Sequence, residues 1–164
     1  MIDSLPEELL EQAQLLLNLP ENQANLRRSI ANCYYALFNL LIRDATALWN
    51  VPEHRYNLAR QFEHKRMKEA SSAFTQSLPR ELAKLKRPSR KYEVIDHLLN
   101  ITNTFGRLQQ RRHDADYDLS SLLTREVAQA IHESTRVAFD YWKDIKDEPR
   151  AHDYLYSLLF KDRG

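Results

Sequence analysis

"RRSIANCYYALFNLLIRDA", residues 27–45, carries apolar side chains at Ile30, Tyr34, Leu37 and Leu41, and Ala45 and Leu48 continue the series. Steps of three and four residues put these on one face of an α-helix, because each residue turns the chain by about 100°. Tyr35, Phe38 and Ile42 occupy the adjoining face, so the apolar surface wraps more than half the circumference. A helix this widely apolar needs neighbours on several sides, which is the position of a central bundle member.

The rest of the chain agrees. Glycine occurs only at Gly106 and Gly164, while Leu, Ala, Glu, Lys, Gln and Arg abound, so helix formers dominate and the usual strand-linking turn residue is scarce. The reading is an all-α protein forming one domain over residues 1–164, a length that suits a single core. With 24 basic against 23 acidic residues, no global field selects nucleic acid or an anionic membrane, so such a partner must be met locally. No apolar run reaches membrane-spanning length and the first residues, "MIDSLPEELLEQ", are acidic, giving a cytoplasmic expectation with no membrane partner. The single Cys33 sits in apolar "IANCYYALF" and reads as core packing.

Prolines divide the chain into helices, falling mainly where a pattern starts or stops. Ser4 with Glu7 resembles a capping box opening a helix that ends near Asn18. The central helix should run from Glu21 or Asn22 to Leu48. Residues 50–78 have few large apolar groups and read as a looser, partly exposed helical segment. "PRELAKLKRPSRK", residues 79–91, is basic, and Arg87, Arg90 and Lys91 are candidates for phosphate contact. A further helix begins near Tyr92, with Leu98, Ile101, Phe105 and Leu108 on one face. After a break at Asp118 to Ser121, where either serine is a candidate cap, Leu123, Val127, Ile131, Ser134, Ala138, Tyr141 and Ile145 outline another helix. Beyond Pro149, "YLYSLLF" is apolar enough to dock on the bundle.

The next four-residue step after Leu108 lands on Arg112, a charge on the extension of an apolar stripe. Asp116 lies four residues on and can pair with it, and His113 and Tyr117 share an adjacent face at the same spacing. The plain reading is an intrahelical ion pair beside a surface imidazole. Other chemistry is poorly served: no glycine-rich phosphate loop and no GxSxG elbow exist, and His54, His97, His132 and His152 lack CxxC, HExxH or a nearby carboxylate constellation, so no metal and no cofactor are expected. Tyr34 and Tyr35 could stack on bases, although their helix is the most apolar and core packing is the stronger reading.

"RRSIANCYYALFNLL" followed later by "RLQQRRHDADYDL", with "HKRMKEASSAF" between, resembles the small bacterial stand-alone HEPN proteins (higher eukaryotes and prokaryotes nucleotide-binding domain) over roughly residues 27–141. That resemblance implies a bundle of four to six helices with an up-and-down core, a homodimer with motif helices facing across a shared cleft, and a metal-independent endoribonuclease of the toxin or defence type. It implies RNA as substrate and, in some members, a nucleotidyltransferase-type antitoxin partner. The family motif is an arginine, a polar residue directly after it, and a histidine four to six residues beyond. Arg112 and His113 match the first two, and Tyr117 stands where the histidine belongs.

Cleaving RNA without metal needs a base for the 2′-hydroxyl and positive charge for the transition state. Histidine titrates near neutrality, whereas tyrosine, with a pKa of about 10, is a poor base. What the resemblance implies for this chain is Arg112 holding the scissile phosphate, His113 taking over proton transfer and Tyr117 orienting a phosphate, supported by Asp116, Arg107 and His64. Arg107 belongs to an alternative register, since five residues separate it from His113. The competing expectation is a catalytically inactive module in which Arg112, Asp116 and Tyr117 form a polar network at a dimer or partner interface.

Overall fold

A computed structural model describes residues 3–161. Among them lie seven α-helices and no strand: α1 (Leu5–Asn18), α2 (Gln23–Ala47), α3 (Arg55–Ala59), α4 (His64–Ala83), α5 (Arg90–Tyr117), α6 (Arg125–Ile145) and α7 (Pro149–Leu159). The chain is all-α. The count exceeds the expected four to six because α3, five residues preceded by a single 3₁₀ turn at Pro52–His54, is a helix in its own right.

α2 is central, packed by α1, α5, α6, α3 and α7. Ile30, Tyr34, Leu37 and Leu41 are buried as their spacing requires, but Leu48 caps the helix and stands about half exposed at 48%. α1 approaches α2 through small groups: Ala13 and Ser29 are fully buried, and the Ser29 hydroxyl donates to the Ala13 carbonyl at 2.8 Å, while the fully buried Cys33 on α2 meets Thr135 of α6. Burial pushes the Cys33 thiol up to about 12. Since only thiolate is nucleophilic, the native protein should react with an aromatic disulfide reagent at pH 8 at least about a hundredfold more slowly than the urea-unfolded chain, as read by absorbance.

Several expected details are corrected. Ser4 adopts helical dihedrals and makes no side-chain cap; its hydroxyl reaches Glu8, and Glu7 is taken by Arg43 of α2 at 2.9 Å, so the Ser4–Glu7 box does not form. Residues 64–83 form a well-built helix rather than a loose segment, because Met67, Ser71 and Leu78 are buried against α5 and α7. Pro79 lies inside that helix instead of ending it. Pro79 is exposed on the surface of the helix and offers no amide to the Thr75 carbonyl. Neither serine of the 118–121 break caps α6; Thr124 does, accepting from the Val127 amide at 3.3 Å.

The buried face of α6 is also turned from the expected stripe. Ala128, His132, Thr135, Ala138, Trp142 and Ile145 are buried, while Val127 is exposed. Small residues at 128, 135 and 138 let α6 lie close to α2, and the polar groups this buries find partners: His132 Nε2 contacts the Leu10 carbonyl at 3.2 Å and Trp142 Nε1 donates to Asp44 at 2.8 Å.

α7 docks as expected through Tyr154, Leu155 and Leu158. The Tyr154 and Ser71 hydroxyls share a buried hydrogen bond at 2.7 Å. Tyr154→Phe should cost about 1–2 kcal/mol in urea unfolding, because Ser71 keeps a buried hydroxyl without its partner.

Candidate functional site

Ser89 opens α5 by accepting from the Tyr92 amide, and Leu98, Ile101, Phe105 and Leu108 carry its apolar stripe into the core. Arg112 follows in register, its side chain only 16% exposed. The guanidinium lies 5.2 Å from the ring centre of Tyr34 and 5.9 Å from that of Tyr35, both on α2. Its pairing with Asp116 is loose, at 3.5 Å, and Asp116 is its sole carboxylate partner among the described residues. Nε is buried without a hydrogen-bond partner. An aromatic-backed cation with spare donors suits an incoming phosphate, since two ring faces orient the planar fork while the charge stays largely unneutralised.

α4 brings a second group to the same aromatic floor. His64, the first residue of α4, stacks its ring on Phe38 at 4.3 Å, and its Nδ1 meets the Tyr34 hydroxyl at 2.5 Å. Gln109 of α5 donates to the His64 carbonyl at 3.2 Å, tying the start of α4 to α5. Desolvation and then the nearby Arg112 charge hold the His64 pKa below its ordinary value of 6.5, so the ring is neutral at pH 7. Burial raises the Tyr34 phenol, which stays protonated. The sequence reading of Tyr34 as core is met by its full burial; its polar end nonetheless belongs to the site.

His113 and Tyr117 form their own pair, ring centres 5.0 Å apart, on the exposed face beside Arg112. Tyr117 is 66% exposed. Arg107 is placed elsewhere: five residues before Arg112 on a straight helix, it points roughly 140° away, and with Arg111, Thr104 and Leu108 it lines a groove of about 180 Å³ against Val127 and Ile131 of α6. Of the basic segment, Arg90 is committed to carboxylates, bonding Glu93 at 2.6 Å, Asp144 at 2.8 Å and Glu148 at 3.0 Å. Arg87 lies over the Tyr92 ring at 4.3 Å, and Lys91 is exposed.

No family model, curated protein or solved structure matches the chain.

Two groups escaped the sequence reading. His97 does have a carboxylate constellation: its ligand nitrogen and oxygens of Glu93 and Asp144 lie within 4.8 Å of one another. Glu93 was legible at four residues' spacing, whereas Asp144 comes from α6. The Arg90 guanidinium bridges both carboxylates and fills the place a cation would take. Arg27, near the start of α2, closes α5: its guanidinium donates to the carbonyls of Ala115 at 2.8 Å, Asp118 at 3.0 Å, Ser121 at 2.6 Å and, weakly, Asp114 at 3.5 Å. The last turn of α5 holds no basic residue of its own, so the cation its dipole favours arrives from another helix. No local pattern could have linked residues this far apart in the chain.

No helix among the described residues is long and apolar enough to cross a membrane.

Proposed function

We propose that the chain is a HEPN-like, metal-independent endoribonuclease acting on RNA, in the manner of a cytoplasmic toxin or defence protein. One observation carries this reading: Arg112 occupies the end of the α5 stripe as a largely shielded cation, backed by Tyr34 and Tyr35 and only loosely paired with Asp116. Such a guanidinium is suited to hold a scissile phosphodiester and to stabilise the charge that grows on its oxygens. On this reading His113 and Tyr117, an exposed ring pair beside it, meet the flanking nucleotide. A homodimer joined along this end of α5 would complete the cleft, and a nucleotidyltransferase-type antitoxin is the partner class that such a toxin implies. The test is RNA cleavage by purified protein in excess chelator, compared with Arg112→Ala; undiminished cleavage by the variant removes this site.

A second reading, a catalytically inactive HEPN-like dimerisation or partner-binding module, draws on a different observation. Leu119 and Leu122 are 83% and 81% exposed in the loop following Tyr117, which is an apolar surface beside the polar cluster. On this reading no RNA is cleaved, and Arg112→Ala changes self-association measured by sedimentation.

A further inference from the structure

The placement of His64 points to a role that no spacing along α5 discloses. Family-like nucleases draw arginine and histidine from one helix, and here Tyr117 holds the histidine's place. The structure supplies another imidazole from α4, facing the same tyrosine that Arg112 faces. Its ring is held on two sides, by the Phe38 face and by the Tyr34 hydroxyl at Nδ1. No hydrogen bond among the described residues involves Nε2, and the residue is exposed. An imidazole with one nitrogen tethered, the other open and its ring fixed by stacking has the arrangement of a general base.

We propose that His64 is the proton acceptor of the site, its Nε2 taking the 2′-hydroxyl proton of an RNA whose scissile phosphate rests on Arg112. This rests on the ribonuclease reading above. The role requires the tautomer in which Nδ1–H donates to the Tyr34 oxygen, which leaves the Nε2 lone pair free for the substrate. As the proton transfers, the 2′-oxygen forms a bond to the adjacent phosphorus and the bond from phosphorus to the 5′-oxygen breaks. The leaving oxygen takes a proton from water, and the hydroxide so formed recovers the proton from the His64 imidazolium. The products are a 2′,3′-cyclic phosphate and a 5′-hydroxyl, with every proton accounted for. Tyr34 is a positioning residue, and Arg112 does double duty, holding the phosphate and keeping the nearby imidazole neutral.

The charged and titratable groups around His64 are Tyr34 and Tyr35 of α2, Arg112 of α5, and Glu63 and Lys65 beside it in the chain. Desolvation and then the Arg112 charge disfavour the imidazolium, so the acid limb of kcat/KM should fall below pH 6.5, where an unperturbed histidine would titrate.

The experiment measures cleavage of a labelled single-stranded RNA in excess chelator by the full chain, with its 2′-deoxy counterpart as control. His64→Ala and His64→Gln should each lose at least about a hundredfold in rate. His64→Gln keeps a polar group beside Tyr34, and a wild-type-like melting curve for either variant separates lost chemistry from lost folding. Tyr34→Phe should lose about tenfold, and the acid limb should vanish from the residual activity of His64→Ala. If Arg112→Ala abolishes cleavage while both His64 variants cleave as wild type, the inference falls and the ribonuclease reading stands. A loss confined to His113→Ala would move the proton to that imidazole and equally overturn it. If Arg112→Ala cleaves undiminished, or wild type does not cleave at all, both fall together.

Discussion

Arg112→Ala is expected to lower the single-turnover rate of RNA cleavage in excess chelator by about a hundred- to a thousandfold, the range for removing one preorganised donor at a developing oxyanion. The effect should be this large because the guanidinium is already in place before substrate arrives. Its aromatic backing from Tyr34 and Tyr35 restricts the long side chain, and its side chain is mostly shielded from solvent. Little reorganisation is left for the moment of reaction. Stability should change far less, since Asp116 is partly exposed and loses only a long 3.5 Å contact that water can replace. Arg112→Lys should recover only part of the rate: an ammonium keeps the charge but has neither the planar fork nor the stacking surface that fits it between two rings and a phosphate. Matched circular dichroism melts with unmatched rates would support a chemical role; matched rates would end it.

Arg27→Ala is expected to cost about 3 kcal/mol, lowering the melting temperature by about 6–12 °C for a chain of this size. The guanidinium serves four carbonyls at the end of α5 and in the following loop, three of them at 3.0 Å or less. Hydrogen bonds from a charged donor contribute more than neutral ones, and truncation leaves several acceptors partly buried without a donor. Lysine cannot bridge four acceptors from one flexible point charge, so Arg27→Lys should recover less than half of the loss. The same bonds hold the last turn of α5, where His113 and Tyr117 sit, so local hydrogen exchange there should quicken before global unfolding. A urea-unfolding loss under 1 kcal/mol would show that water caps this end equally well.

The backbone architecture was largely legible because it follows periodicity. The stripe Leu98, Ile101, Phe105, Leu108 reads directly as a helix face, and its continuation to Arg112 correctly marked a charge pressed against apolar surroundings. Where apolar groups were sparse, the reading faltered. α4 buries only Met67, Ser71 and Leu78, too few to announce a twenty-residue helix, yet α5 and α7 supply the contacts that hold it. The α6 face was misjudged because size outweighed hydropathy: small residues at the α2 contact were chosen over Val127 by closeness of approach.

The site was half visible. Arg112, Asp116, His113 and Tyr117 are local on one helix, so their spacing alone paired them, and the contacts at 3.5 Å and 5.0 Å follow. Arg90 could be named as a cation but not as one already claimed by Asp144 and Glu148, which lie across the bundle.

What the sequence by itself determined is the helical content, the central place of α2 and the register that carries Arg112 inward, since all three depend on neighbours within one or two turns. What only the tertiary structure decided is which distant groups share a surface. Arg27 closes α5 from eighty-eight residues away at Ala115, and His64 meets Tyr34 from thirty residues away. Helical spacing encodes the direction a side chain takes from its own axis; it holds no information on which other axis lies there. That is settled by packing, through the volumes of Ala13, Cys33, Ala128 and Ala138 and the burial of Phe105 and Trp142, which set how closely each helix approaches α2 and so which polar ends meet.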